Sequence, residues 1–98
     1  VKVQVTPTAR RQVAALAAWW NEHRAAARVR VEDALEAAIE AMAEHPKAGP
    51  TYSQDPTYRT WRLKGTPYVL FYRVDEAEDT VWIVVAWSVM RGAGPELP

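Results

Sequence analysis

The chain has 98 residues, 49% of them hydrophobic and 24% charged, which is the composition of one folded domain spanning 1–98 and excludes a disordered polymer. Twelve Lys and Arg balance twelve Asp and Glu, so bulk basicity is excluded as a source of nucleic-acid affinity, which draws on a surplus of cations. The absence of cysteine removes disulfides, thiolate metal sites and thiol nucleophiles together, and fits a reducing cytoplasm. No apolar run approaches the roughly 18 residues of a membrane span, and the first residues lack the apolar core of a signal peptide, so a cytoplasmic location is expected.

Val1, Val3 and Val5 alternate with Lys2, Gln4 and Thr6, the period-two pattern of a half-buried strand. Thr6-Pro7 then reads as a helix start, because Thr caps free amides and Pro has no N–H to waste in the first turn. Val13, Leu16, Ala17 and Trp20 make one apolar face of a helix ending near Arg24. Residues 25–30 read equally as helix or connector. A second helix is expected from Val31 to Glu44, with Val31, Leu35, Ala38, Ile39 and Met42 on one stripe and the acids largely off it. The pair forms a helical hairpin, closed at His45-Pro46 because Pro biases the residue before it away from helical angles.

The stretch from Pro46 to Thr57, with Gly49, Pro50 and Pro56, reads as a loop. Three strands follow: Tyr58 to Lys64, Tyr68 to Val74 and Thr80 to Ser88. They are joined by a turn at Gly65-Thr66-Pro67 and an acidic turn at 75–79. Alternation sets Tyr58, Thr60, Arg62 and Lys64 on one face of the first strand and Arg59, Trp61 and Leu63 on the other. The last two strands are apolar on both faces and belong in the sheet interior, with helices on at least one side. The expected fold is α+β, ordered β-α-α-β-β-β, a helical hairpin packed on a mainly antiparallel sheet, with an irregular tail from Arg91 to Pro98.

Little in the sequence points to built-in chemistry. There is no Gly-rich phosphate loop, no metal-binding His pair and no nucleophile elbow. The carboxylates of the acidic turn are hard oxygen donors but follow no ligand-loop spacing, so no metal and no cofactor is expected. His23 and His45 fall at helix ends, where the macrodipole favours a cation. The five tryptophans, Trp19, Trp20, Trp61, Trp82 and Trp87, are mostly core or groove walls. Arg62 and Arg73 read equally as ion-pair partners and as functional cations.

The run Arg62-Leu63, then Tyr68-Val-Leu-Phe-Tyr72-Arg-Val74, the acidic turn, Val81-Trp-Ile-Val-Val-Ala-Trp-Ser88 and Arg91-Gly92 resembles the RelE/ParE superfamily of toxins from bacterial type II toxin–antitoxin modules. The hairpin ending in His45-Pro46 and Gly49 and the strand entering a Thr-Pro helix start are similar too. The resemblance implies a toxin neutralised by a cognate, ParD-like antitoxin that wraps it, with operator DNA met only through that antitoxin. Two activities run in the superfamily: ribosome-associated cleavage of messenger RNA, and inhibition of DNA gyrase.

The resemblance implies that a ribonuclease member would draw its charge stabilisers and proton carriers from Arg62, Lys64, Tyr72 and Arg91. A base, an acid and cations are all needed to cleave at a 2′-hydroxyl. Neither histidine is expected in the sheet, and Ser88 stands about where some members carry a C-terminal His. The ParE-like branch is therefore favoured, with gyrase as target and Arg62, Arg73, Trp87, Ser88 and Arg91 as target contacts. A ribosome or mRNA target is second, and an inactive toxin-like partner of an antitoxin third. Trp19, Trp20 and Trp87 are the expected antitoxin contacts, because exposed aromatics on a small neutral domain mark an interface.

Overall fold

The structure, a computed structural model, describes all residues, 1–98. A first strand, β1 (Lys2–Val5), leads into helices α1 (Pro7–His23) and α2 (Val31–Glu44). Strands β2 (Thr51–Tyr52), β3 (Asp55–Arg62), β4 (Tyr68–Asp75) and β5 (Thr80–Ser88) follow, and a short 3-10 helix (Val89–Arg91) closes the regular structure. The α1 start forms as the Thr-Pro pair predicts: the Thr6 hydroxyl accepts from the Ala9 amide, with Pro7 at the first helical position. α2 has no side-chain cap, but Glu32 and Asp33 sit in its first turn, where the helix dipole favours anions. Residues 25–30 are not helical, so the ambiguous segment is a connector.

The strands form one sheet in the order β1-β5-β4-β3-β2, all antiparallel except β1, which runs parallel to β5. The sequence reading of 46–57 as loop is corrected here. Thr51 and Tyr52 form a two-residue edge strand, and β3 begins at Asp55, taking in Pro56. Pro56 precedes Arg59, where the pairing of β3 with β4 begins, so one side of the ladder is free at the proline. β3 also ends at Arg62, which leaves Lys64 in the following turn and off the strand face on which alternation had set it.

The hairpin covers one face of the sheet. Ala9, Val13, Ala17 and Trp20 from α1 and Val31, Ala38 and Met42 from α2 meet Leu63, Tyr68, Leu70, Tyr72, Val81, Ile83 and Ala86. The other, open face carries a smaller core of Tyr58, Phe71, Val84 and Val85. Phe71 and Tyr72 point to opposite faces by alternation, and a bulge in β5 opposite them, where Phe71 faces Val85 and Tyr72 faces Ile83, leaves Val84 as an extra residue, so that Val84 and Val85 both join the smaller core. The tail is not loose. It crosses the open face, seating Leu97 on the smaller core, while the Tyr58 hydroxyl donates to a Pro98 oxygen.

Behind the sheet, the loop after α2 is fastened by polar groups. The Gly49 amide donates to the Tyr72 hydroxyl at 3.0 Å, and Arg59 donates to the Lys47 and Gly49 carbonyls at 3.1 and 2.8 Å. Glycine is required at 49, because a Cβ there would lie 2.3 Å from the Thr60 carbonyl oxygen. Lys47 also pairs with Glu76, its hydrogen bond and then its charge holding that carboxyl below its ordinary range. No group of acidic or histidine side chains stands close enough to hold a metal ion.

Candidate target-binding face

Cross-strand register arranges the open face in rows. Arg62, Val69 and Trp87 lie in one row, Thr60, Phe71 and Val85 in the next, and Arg73 with Trp82 and Gln4 in another. Arg62 and Arg73 therefore sit near opposite ends of the face. Four residue steps along β4 lead from Val69 to Arg73, about 13 Å at the rise of an extended strand. The second core and the tail lie between them.

The end of β5 is the most built part of this face. The Trp87 indole N–H donates to the Ala93 carbonyl at 2.7 Å, and the Arg91 guanidinium stacks 4.4 Å from the centre of the same ring. Such a cation–π contact holds the exposed Arg91 side chain against the indole. Ser88 caps the 3-10 helix, its hydroxyl accepting from the Met90 amide at 3.2 Å. Met90 is 80% exposed and Val89 46% exposed beside it.

β1 ends before β5 does, so the outer edge of β5 is bare beyond Ile83 until α1 reaches it. The Thr6 hydroxyl donates to the Val84 carbonyl at 3.4 Å, and the Gln12 side chain accepts from the Ala86 amide at 3.0 Å. A small hollow of about 120 Å3 continues there, between Gln12 and Leu16 of α1 and Trp87, Ser88 and Arg91. Trp19 follows Gln12 and Leu16 on the same side of α1. It is 47% exposed and stacks on His23 at 4.3 Å between ring centres.

Three expected site residues converge at this place, Trp87, Ser88 and Arg91; Arg62 shares a backbone row with Trp87, but its side chain bonds the Thr66 carbonyl and turns toward the β3–β4 turn. Arg73 does not join them. Two others are corrected by burial. Tyr72 is fully buried against the helices, where its hydroxyl serves Gly49 and burial raises its pKa despite that hydrogen bond and the nearby Arg59. It cannot reach an RNA. Trp20 is 8% exposed, packs edge-on against Tyr68, and donates its indole N–H to the Val29 carbonyl at 2.8 Å, so it is core and not a surface contact. Its place on the predicted stripe, not its residue type, held the information. Gln12 and Leu97 were not singled out from sequence. Nothing local marks a glutamine that will cap a strand edge, and Leu97 is an isolated apolar residue in a Gly- and Pro-rich tail.

The helical hairpin on one side of a bulged, five-stranded sheet, with a cationic and aromatic end to its last strand, is the RelE/ParE-like toxin fold. The chain belongs to the ParE toxin family: the family described as "ParE toxin of type II toxin-antitoxin system, parDE" matches residues 3–88. No curated protein matches the sequence. Among solved structures, the chain is similar to one in the RelBE2 toxin–antitoxin complex from Mycobacterium tuberculosis, with 25% identity, 89% of this chain and 95% of that chain covered, and a TM-score of 0.66. It is also similar in fold to a chain of the chromosomal ParDE system from P. aeruginosa, with 16% identity, 91% and 96% coverage and a TM-score of 0.65. A third is the YoeB/ParE toxin from Agrobacterium tumefaciens, with 17% identity, 90% and 98% coverage and a TM-score of 0.61. No helix is long and apolar enough to cross a membrane.

Proposed function

We propose that this ParE-family toxin acts in the cytoplasm by binding DNA gyrase, without a cofactor, and is silenced by a cognate antitoxin. The observation that carries the reading is the make-up of the open face. Its polar side chains offer cations and hydrogen-bond donors, but no assembled acid–base pair. Tyr72 is buried, Ser88 is spent on a cap, and both histidines lie at helix ends. RNA cleavage would need a proton acceptor and a proton donor flanking one phosphate. Protein binding needs only an anchored aromatic with charge beside it, which Trp87 and Arg91 supply. Arg73 offers a separate cation at the far end of the face.

For the antitoxin, the reading is an amphipathic helix or an added strand lying along the outer side of α1, with Trp19 and Trp87 as anchors. Support comes from the hollow between α1 and the end of β5 and from the exposed Trp19, Val89 and Met90. The solved relatives named above include toxin–antitoxin complexes, which agrees with such a partner.

Two assays test the target together: gyrase supercoiling with added protein, and primer extension on messenger RNA in a translating extract. Inhibition of supercoiling that Trp87→Ala and Arg91→Ala both weaken, with no new RNA ends, is the expected result. RNA cuts that vanish with Arg62→Ala would assign the protein to the ribonuclease branch instead. Silence in both assays, with the adjacent gene product still bound, would make it an inactive partner.

A further inference from the structure

A second polar site lies away from the β5 end, where α1 runs out. Its connector to α2 folds against the β3–β4 turn, and two contacts fix it. The buried Trp20 indole N–H holds the Val29 carbonyl at 2.8 Å. Gly65, at φ +83°, lets the turn backbone come so near that a Cβ there would lie 2.7 Å from Val29 Cγ2. The close approach leaves a hollow of about 550 Å3 bordered by Arg24, Arg28 and Arg62, with Val29 and Pro67 as its apolar wall. A neighbouring hollow of about 430 Å3 shares Arg24 and Arg28 and adds Arg30.

The three arginines of the first hollow are unspent. The ion pairs of the chain join Arg30 to Glu32, His45 to Glu44 and Lys47 to Glu76, and none involves Arg24, Arg28 or Arg62. Arg62 gives only its Nε–H, to the Thr66 carbonyl at 3.3 Å, which turns its side chain from the open face toward the hollow. Each guanidinium presents a planar fork of donors that matches a carboxylate or a phosphate. Arg24 stands near enough to Tyr68 for its charge to work against the burial that raises that phenol. Three like charges around one concavity repel, and an anion seated among them removes that cost.

The geometry points to this cleft as a receptor for the carboxylates of an acidic segment of a partner protein. Nucleic acid fits less well. A single strand needs a cationic track and exposed ring faces on which bases stack, whereas the one aromatic ring here, Trp20, is buried with its N–H engaged. Its apolar wall of Val29 and Pro67 suits the methylenes of Glu or a neighbouring aliphatic side chain. A net charge of zero also gives no long-range pull on a polyanion. The inference is separate from the gyrase reading, and its test uses neither gyrase nor antitoxin.

The test is a titration of the 15N-labelled full chain, followed by NMR, with a peptide of about twelve residues carrying Glu pairs and Leu, its Gln counterpart, and an oligonucleotide of similar length. The acidic peptide should move the Gly65 and Thr66 amides and the Trp20 indole N–H, and the Gln peptide should not. Doubling Arg24→Gln with Arg28→Gln should weaken the response about tenfold, and Arg28→Lys by less, because it keeps charge but loses the fork. Arg62→Gln alone gives a second reading should the double variant fold poorly. Tighter oligonucleotide binding through the same residues would make the cleft a phosphate site and overturn the proposal. Absence of any arginine-dependent shift with the acidic peptide would overturn it too, leaving a solvated surface.

Discussion

The hydroxyl of Tyr72 has a structural and not a catalytic role, because its partner is the buried amide of Gly49. Tyr72 and Tyr68 are near neighbours in β4, both on the helix-covered face and both nearly sealed, at 0% and 3% exposure. Only the Tyr72 hydroxyl has a partner, the buried Gly49 amide at 3.0 Å. Tyr72→Phe strands that N–H without water, at about 1–3 kcal/mol for an orphaned buried donor. Taking about 2 kcal/mol, Tm should fall by about 8–16 °C for a domain of this size. Arg59 still ties the Lys47 and Gly49 carbonyls, so the loop stays docked and the loss is not larger. Tyr68→Phe deletes a hydroxyl with no hydrogen-bond partner and should cost less than about 0.5 kcal/mol. Urea and thermal unfolding of both variants, side by side, is the measurement. Equal losses, or a Tyr72→Phe loss as small as that of Tyr68→Phe, would refute the claim that the loop hangs on this bond.

Gly65→Ala combines a positive φ with a contact too close for a methyl against Val29, and should cost about 1–3 kcal/mol; Gly92→Ala, at φ +77° with open space around it, should cost less, both read from denaturant midpoints. Deleting residues 93–98 uncovers Tyr58, Phe71 and Val85, so Tm should drop and binding of a hydrophobic dye should rise; an unchanged Tm would mean the tail does not seat on the sheet. Burial raises the phenols of Tyr72 and Tyr68 above 10.0, so the folded chain holds these protons more tightly than the unfolded one. Their contribution to stability is then fully present below about pH 10 and is lost as pH climbs through the folded-state values, which unfolding followed from neutral to strongly alkaline pH will show. Arg91→Ala frees the Trp87 ring on one side and should change tryptophan emission while leaving stability within about 0.5 kcal/mol, since the pair is at the surface.

The elements that periodicity describes were legible before any coordinates. α2 and β5 span the residues that their apolar patterns indicate, and the Thr6-Pro7 start of α1 follows from capping chemistry that is local to the chain. The strand Thr51–Tyr52 was not legible, because two residues between prolines carry no pattern, and their pairing depends on β3 being there to pair with. The same holds for the place of β1. Its alternation marks a strand, yet its parallel partner β5 lies far along the chain and is brought to it by the hairpin.

For the site, residue type was a poorer guide than position in space. Trp87, Ser88 and Arg91 are close in sequence, so their gathering at one end of β5 could be read directly. Tyr72 and Trp20 looked like surface chemistry and are core, since which side of the bulge or helix a side chain takes is settled by packing. Arg24, Arg28 and Arg62 are dispersed along the chain and share a cleft only because Gly65 lets a turn press against Val29. Local order, the apolar stripes and the charge balance thus belong to the sequence alone, because they rest on near neighbours. The two-sided sheet, the tail across it and the arginine cleft belong to the tertiary structure, because each requires segments far apart in the chain to exclude water from one another.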